Sequence, residues 1–307
     1  MPVFHPVGPP LAELGEGPVW NPEEDRLYWI DSSRGCVFRA APDGRDLEIW
    51  VLGEPIGALA PRKDGGIIVS LASGFYLVDL AMGDKELIGH PDQGRPTRYN
   101  DGKVDRQGRF ITGGMDFRLT GQGAAWLVGK VKADCSLYLI DVDLTIREVK
   151  DDVGITNGPC FSPDGATFYL SDSWRNEIQA FDYDVRDGSL SSCRTFVSYQ
   201  RDDSASAPGQ PDGATVDAEG FLWSAAFNAA EIRRYAPDGS LDRRIPTPTI
   251  KPTSVMFGGA ELDILFVTTM GNPRLPVQLP ADGPAGGMTF ALTGLGCRGV
   301  PEVPFGG

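Results

Sequence analysis

Short apolar runs alternate with polar turns along the whole chain, and one arrangement recurs six times. Each recurrence has a short apolar run, a turn with Asp-Gly or a similar pair, and a second apolar run. The six segments begin at Gly17, Gly57, Gly102, Gly158, Gly213 and Ser254. They are spaced roughly 40–55 residues apart, which is typical of the blades of a β-propeller. No stretch shows a capped 3.6-residue apolar period, so helices are not expected.

The segments predict an all-β fold with six blades of four antiparallel strands. Residues 1–307 are expected to form one propeller domain. The last blade shows only three apolar runs, at 255–257, 265–268 and 288–291. We therefore predict that the N-terminal segment before Glu16 supplies its fourth strand. That pairing would close the ring and protect an open sheet edge.

One position recurs at the start of each innermost strand, and we call these six residues the axial positions. They are Glu16, Ile56, Asp101, Asn157, Asp212 and Thr253. Innermost propeller strands line a central channel, so the six are expected to form a ring. A small residue follows each one and would permit close backbone approach at the crowded axis. Four of the six have oxygen-bearing side chains that could hold a cation.

An oxygen-only ligand set favours a hard ion. Ca²⁺ is the first choice for one bound divalent metal, with Mg²⁺ and Mn²⁺ next and Zn²⁺ or Fe²⁺ less preferred. A bound cation would also offset the repulsion between buried acids. The alternative is that Asp and Asn precede Gly because both favour turns. Glu16 and the shared register argue against that alternative, since Glu is not a turn residue.

The densest polar stretch is RYNDGKVD at 98–105, which leads into an apolar run at 109–112. It places Arg98 and Asn100 directly before the axial residue Asp101. Charged and amide side chains are costly to bury in a hydrophobic core, so their concentration at the start of a strand indicates a functional site.

Composition excludes several classes of partner. The formal net charge is −14 and the pI is about 4.6, which argues against nucleic acid and anionic membranes. No apolar run approaches the ~18 residues of a membrane span, and the first ten residues do not resemble a signal peptide. Five cysteines without a CxxC pair are interpreted as buried, reduced thiols. A cytoplasmic location is expected.

Other catalytic motifs are weak. The two histidines, His5 and His90, accompany no G-x-S-x-G elbow, so a Ser-His-Asp hydrolase is not indicated. The G-x-G-x-x-G match at 294–299 runs into a proline-containing segment that cannot open a helix. A dinucleotide site is therefore not expected there.

Several motifs in order resemble the SMP-30/gluconolactonase/regucalcin family. They are GEGPVW at 15–20, RYNDGKVD at 98–105, ITNGPCFSPDG at 155–165, YLSDSWRNEIQAFDYD at 169–184, PDGATVDAEGFLW at 211–223 and the LDILFVTT run ending at 269. The resemblance implies a six-bladed propeller with one divalent metal in its channel, and lactone hydrolysis. It also implies metal ligands at Glu16, Asn157 and Asp212, with Asp212 as general base. Arg98 and Asn100 match sugar-contacting positions, and Asp101 is placed beside the metal with them.

One departure from the family leaves the sugar open. Relatives often carry a substrate-contacting Glu before the third strand of blade three, whereas residues 128–135 here contain no Glu but include Lys130 and Lys132. An acidic substrate is one interpretation. The long segments 117–134, 200–211 and 271–286 are candidates for a substrate lid, or equally for surface decoration.

The resulting hypothesis is a metal-dependent lactonase that acts on a sugar aldonolactone. The cation would polarise the lactone carbonyl, and Asp212 would take a proton from water. Two alternatives stay open: another ester or organophosphate hydrolase on this scaffold, and a calcium-binding protein without turnover. The oligomeric state is left open.

Overall fold

The computed structural model describes residues 2–9, 11–116, 132–199, 209–271 and 282–307. These residues form six four-stranded antiparallel sheets, so the predicted six-bladed propeller is confirmed. The lid hypothesis for 117–134, and most of the other two long segments, falls outside the described ranges.

The first five blades are each formed by four strands that are consecutive in the chain. Blade one contains β2 (Gly15–Asn21), β3 (Arg26–Asp31), β4 (Cys36–Ala40) and β5 (Glu48–Val51). Blade two contains β6 (Ile56–Pro61), β7 (Ile67–Leu71), β8 (Gly74–Val78) and β9 (Lys85–Gly89). Blade three contains β10 (Thr97–Val104), β11 (Phe110–Asp116), β12 (Cys135–Ile140) and β13 (Ile146–Val153).

The second half of the chain repeats this order. Blade four contains β14 (Thr156–Phe161), β15 (Thr167–Asp172), β16 (Glu177–Tyr183) and β17 (Leu190–Ser198). Blade five contains β18 (Gln210–Val216), β19 (Leu222–Phe227), β20 (Glu231–Tyr235) and β21 (Leu241–Pro246). Blade six contains β22 (Pro252–Gly258), β23 (Ile264–Thr269), β24 (Phe290–Thr293) and, from the N-terminus, β1 (Val3–Pro6).

The ring is closed by the N-terminal strand, as predicted. β1 pairs antiparallel with β24, with Val3 opposite Thr293 and Pro6 opposite Phe290. The Phe4 ring packs edge-on against Phe290 with ring centroids 5.9 Å apart. This contact anchors the first strand to the hydrophobic core of the last blade.

Hydrophobic side chains fill the spaces between neighbouring blades. Trp20 of blade one stacks on Phe266 of blade six with centroids 5.8 Å apart. Trp223 of blade five meets Phe257 of blade six edge-on at 5.7 Å. Each large aromatic side chain thus stabilises a junction between two blades.

Every innermost strand has an irregular register at its axial position. The irregularities in β2, β6, β10, β14, β18 and β22 fall within residues 16–19, 56–58, 100–102, 157–160, 211–214 and 252–254. A bulge leaves a residue outside the regular ladder and redirects its side chain. In β2, β6 and β14 the axial residue is the last one paired before the irregularity, whereas in β10, β18 and β22 it lies within it.

Glycines after four of the axial residues lie where neighbouring inner strands meet, whereas a Cβ on Gly17 would meet nothing nearer than 3.8 Å. A Cβ on Gly213 would lie 2.0 Å from the Ser254 Oγ of the next blade. A Cβ on Gly57 would lie 2.7 Å from the Tyr99 carbonyl carbon. The predicted close approach of the inner strands is confirmed at both junctions.

The C-terminal segment crosses the face where the inner strands end. Its Phe305 is fully buried and donates its N–H to the Pro61 carbonyl, and the Lys63 N–H returns a bond to Phe305. Gly306 donates to the Gly108 carbonyl. Because the axial residues lie where the inner strands begin, the site is at the opposite face.

The cysteine prediction is correct in part. All five cysteines are free thiols and four are buried, but Cys193 is exposed on the outer strand β17. Outer strands face solvent, so burial could not be general. No helix in the described ranges is long and apolar enough to span a membrane.

We predict that Phe4→Ala destabilises the propeller by about 1–2 kcal/mol, because it removes a partly buried ring from the closing strand. Val3→Ala on the same strand is the control. Its side chain is half exposed, so a change within about 0.5 kcal/mol is expected. Urea unfolding of both variants measures the difference. Equal effects would show that β1 contributes nothing to ring stability.

Candidate metal and substrate site

Four axial side chains converge at one end of the channel. Asp101, Asn157 and Asp212 are 8%, 6% and 7% exposed, and Glu16 is half-buried. Burial raises the pKa of Glu16 well above its usual value, and the carboxylates of Asp212 and Asp101 raise it further. Side chains from blades one, three, four and five therefore share one electrostatic environment.

Asp212 is the least compensated group of this set. Its Oδ1 is buried and accepts no hydrogen bond from the residues that the structure describes. Burial raises the pKa of Asp212 well above its usual range, and Asp101 adds to the effect, while a bond from the Gly213 backbone opposes it. A buried carboxylate oxygen without a partner is costly, so this atom is suited to a cation or a proton donor.

Asp101 joins two blades. Its Oδ1 accepts the N–H of Gly102 at 2.7 Å, and its Oδ2 accepts the N–H of Gly158 at 2.8 Å. Burial raises the pKa of Asp101 although these bonds and the Lys103 ammonium act in the opposite direction. The carboxylate thus supports the backbone beside Asn157, which adds a structural role to the predicted contact with substrate.

Two amides lie side by side. Asn100 Nδ2 donates to Asn157 Oδ1 at 2.8 Å and to the Thr156 carbonyl at 2.7 Å. At its other end, Asn157 Nδ2 donates to Ser173 Oγ at 2.9 Å. Asn157 is therefore held at both ends, and Asn100 contacts the predicted ligand directly.

Arg98 brings a positive charge to the same region. Its guanidinium donates to Ser32 Oγ at 2.9 Å and attracts the Glu16 carboxylate. Burial lowers its pKa, but an arginine remains a cation at neutral pH. Arg98 therefore offers the planar donor group that suits an oxygen-rich ligand.

The other two axial residues are an apolar side chain and a hydroxyl that is hydrogen-bonded to a neighbouring blade. Ile56 is fully buried and apolar. Thr253 Oγ1 donates to the Gly15 carbonyl at 2.5 Å, which links blade six to blade one. The axial residues that could offer an oxygen to a ligand therefore belong to blades one, three, four and five.

A divalent cation fits the side chains present. Glu16, Asn157 and Asp212 offer two carboxylates and an amide oxygen, and Asp212 Oδ1 has no hydrogen-bond partner within the described ranges. In the part of the chain that the structure describes, no three His, Cys, Asp or Glu side chains are grouped as ligands. The donor set therefore depends on the Asn157 amide, and its all-oxygen character favours a hard ion.

Of the two lysines near blade three, the structure describes Lys132. Lys132 is exposed and pairs with Asp151 at 2.8 Å. This ion pair gives no support to an interaction of Lys132 with an acidic substrate. Lys130 lies outside the described residues.

Two serines of the site were missed from the sequence. Ser32 and Ser173 each follow the aspartate that ends a second strand, in YWIDSSRG and YLSDSWRN. The preceding aspartates accept equivalent loop N–H groups, Asp31 from Leu14 and Asp172 from Ile155. The Asp-Ser pair that recurs at the ends of β3 and β15 is the sequence feature that could have identified these two serines.

A six-bladed propeller with carboxylates, amides and an arginine at one end of its axis belongs to the class of propellers with an axial ligand site. The chain is a member of the SMP-30/gluconolactonase/LRE-like family, whose model matches residues 14–271. The resemblance inferred from the motifs is thereby confirmed.

Relatives with this architecture cover nearly the whole chain. The 6-deoxy-6-sulfogluconolactonase of Pseudomonas putida is 34% identical over 96% of this chain and 95% of its own length. The regucalcin of Danio rerio is 31% identical, again over 96% and 95%. A crystal structure of a calcium-binding protein, regucalcin, from Agrobacterium tumefaciens has a TM-score of 0.82 at 25% identity, covering 97% of this chain and 95% of that one.

We predict that Asp212→Asn stabilises the metal-free protein at pH 7, by on the order of 1 kcal/mol, because it removes one buried like charge. The same variant should lose most of the melting shift produced by CaCl₂. Thermal unfolding after EDTA treatment, with and without added Ca²⁺, measures both quantities. A destabilised metal-free variant would contradict the charge argument.

The gain from Asp212→Asn should depend on pH. The pKa of Asp212 is 3.8 in a model peptide and raised in the folded protein, so above about pH 4 the folded state binds more protons than the unfolded state. Its contribution to stability therefore falls as pH rises from 4 through the raised pKa. The stability difference between variant and wild type should be small at pH 4 and grow toward pH 7. A constant difference in urea unfolding across this range would exclude the effect.

Proposed function

We propose that the protein hydrolyses a lactone, with a sugar aldonolactone as substrate and the aldonic acid as product. The observation that carries this proposal is the buried Oδ1 of Asp212, which no described residue hydrogen-bonds, in a site that also holds Arg98 and Asn100. Family membership and the lactonase among the relatives support it.

Asp212 acts as the general base. Its Oδ1, which has no hydrogen-bond partner among the described residues, is available to accept a proton from water. It takes a proton from the water whose oxygen attacks the lactone carbonyl carbon. When the ring ester bond breaks, the ring oxygen receives that proton and becomes the hydroxyl group of the aldonic acid.

Arg98 and Asn100 bind and orient the substrate. The guanidinium offers several N–H donors in a fixed plane, which suits the hydroxyl and carbonyl oxygens of a sugar lactone. Asn100 is half-buried at the start of β10 and shares this side of the site. Asp101 supports the adjoining backbone and lies within the same group of charges.

Glu16, Asn157 and Asp212 would hold one divalent cation, with Ca²⁺ as our first choice. When bound, such an ion supplies Lewis-acid polarisation of a carbonyl and stabilises negative charge that develops on its oxygen. The same cation would compensate the mutual repulsion of Glu16 and Asp212.

The direct test is a hydrolysis assay on the full-length protein. Aldonolactones and an aryl phosphotriester are compared, before and after chelation and with added Ca²⁺. We expect turnover of an aldonolactone that chelation removes and Ca²⁺ restores. Preference for the phosphotriester would indicate a different hydrolase. Calcium binding without turnover of either substrate would indicate a binding protein.

Two substitutions should separate metal binding from substrate binding. Glu16→Gln should weaken the Ca²⁺-induced melting shift, because it removes a ligand charge while keeping the shape. Arg98→Ala should keep that shift and lower kcat/KM by about tenfold or more, since a guanidinium cannot ligate a cation. Arg45→Ala, which alters an exposed pair with Asp43, is the control and should change neither. If Arg98→Ala lost the Ca²⁺-induced melting shift and Glu16→Gln kept it, the division into metal-binding and substrate-binding residues would be wrong.

A further inference from the structure

Ser32 and Ser173 occupy equivalent places in blades one and four. Each follows the last residue of a second strand, β3 or β15. Their backbone N–H groups bond to equivalent carbonyls, Ser32 to Leu14 at 2.9 Å and Ser173 to Ile155 at 3.2 Å. They are 1% and 7% exposed. Both hydroxyls are therefore buried between one blade and the next.

In each serine the hydroxyl hydrogen is already used. Ser32 Oγ donates to the Ile56 carbonyl and Ser173 Oγ to the Pro211 carbonyl, both at 2.6 Å. A carbonyl oxygen has no hydrogen to give, so each serine must be the donor in these bonds. Toward the site, each Oγ can then only accept.

This restriction agrees with the orientation that Asn100 imposes on Asn157, because Asn100 Nδ2 also donates to the Thr156 carbonyl and needs an oxygen opposite it. An acceptor at Ser173 is compatible with the amide nitrogen of Asn157 and not with its oxygen. The nitrogen therefore faces Ser173, and Oδ1 is turned toward Asn100, which donates to it at 2.8 Å. The amide oxygen retains a second lone pair for a cation.

The same restriction holds Arg98. Its guanidinium has only donors, so it needs an acceptor, and Ser32 Oγ supplies one at 2.9 Å. The Ile56 carbonyl that fixes Ser32 belongs to an axial residue of the neighbouring blade. The position of the Arg98 guanidinium therefore depends, through Ser32, on the backbone of the axial residue Ile56.

We propose that Ser173 and Ser32 are positioning residues, the first for the metal-ligating oxygen of Asn157 and the second for the substrate-binding guanidinium of Arg98. This inference rests on the proposed function. It assigns the two serines separable effects: Ser173 acts on cation affinity, and Ser32 acts on substrate binding.

The experiment uses the full-length protein stripped with EDTA and titrated with CaCl₂ by calorimetry. Ser173→Ala should raise the dissociation constant for Ca²⁺ about tenfold, as is common for groups that orient a metal ligand. Ser173→Thr, which keeps the hydroxyl, should restore affinity. Ser32→Ala should stay within about twofold of wild type. If Ser173→Ala does not fold, Ser173→Cys keeps the volume and weakens the bonds, and the same loss is expected of it.

A matched control tests for a merely structural effect. Ser70 is a fully buried serine whose Oγ accepts from the Ala58 N–H at 2.8 Å and bonds to no site side chain of the described residues. Ser70→Ala should lower the melting temperature without changing Ca²⁺ affinity. Loss of affinity in Ser70→Ala equal to that in Ser173→Ala would overturn the proposal, as would an unchanged affinity in Ser173→Ala.

The proposed effect of Ser32 on substrate binding is measured by steady-state kinetics on an aldonolactone at saturating Ca²⁺. Ser32→Ala should raise KM about tenfold with little change in kcat, because a loosened Arg98 weakens binding of substrate and transition state alike. An unchanged KM would overturn the role of Ser32. If wild type hydrolyses no lactone, the proposed function and the role of Ser32 fail together, while the titrations still decide Ser173. If wild type binds none of Ca²⁺, Mg²⁺, Mn²⁺ or Zn²⁺, the role of Ser173 is refuted.

Discussion

The repulsion between buried carboxylates at the axis is the constraint on which this site depends. Glu16, Asp101 and Asp212 enter from three blades, and burial raises the pKa of each. Hydrogen bonds compensate the buried charges of these carboxylates unevenly. Asp101 has two backbone N–H donors, whereas Asp212 keeps one oxygen without any. The uncompensated group is the one assigned to catalysis, which agrees with the general pattern that functional sites retain local strain.

Close packing of the inner strands makes this arrangement possible. The register irregularities fall at or beside the axial residues, and small following residues such as Gly213 allow neighbouring backbones to touch. Backbone groups of one blade then come within reach of side chains of the next. The Gly158 N–H bonds to Asp101, and the Ile56 and Pro211 carbonyls fix the two serines. The close approach that builds the ring thus also supplies the partners that orient the site.

The architecture and the axial ring could be predicted because both are repetitive. Six similar segments gave the blade count, and aligning their starts brought Glu16, Asn157 and Asp212 into register. The missing strand of blade six pointed to the N-terminus, where β1 lies. The structural role of Asp101 could not be predicted, because it depends on the N–H of Gly158, which is distant in sequence and adjacent only in the folded ring.

The serines were missed for a different physical reason. A sequence shows residue types, but the function of Ser173 depends on where its one hydrogen goes. The Pro211 carbonyl takes that hydrogen, so Ser173 accepts from Asn157 Nδ2. Asn100, whose Nδ2 also donates to the Thr156 carbonyl, requires an oxygen at the other end of the same amide. Because an amide nitrogen cannot ligate a cation, the two partners together determine that blade four can contribute a ligand.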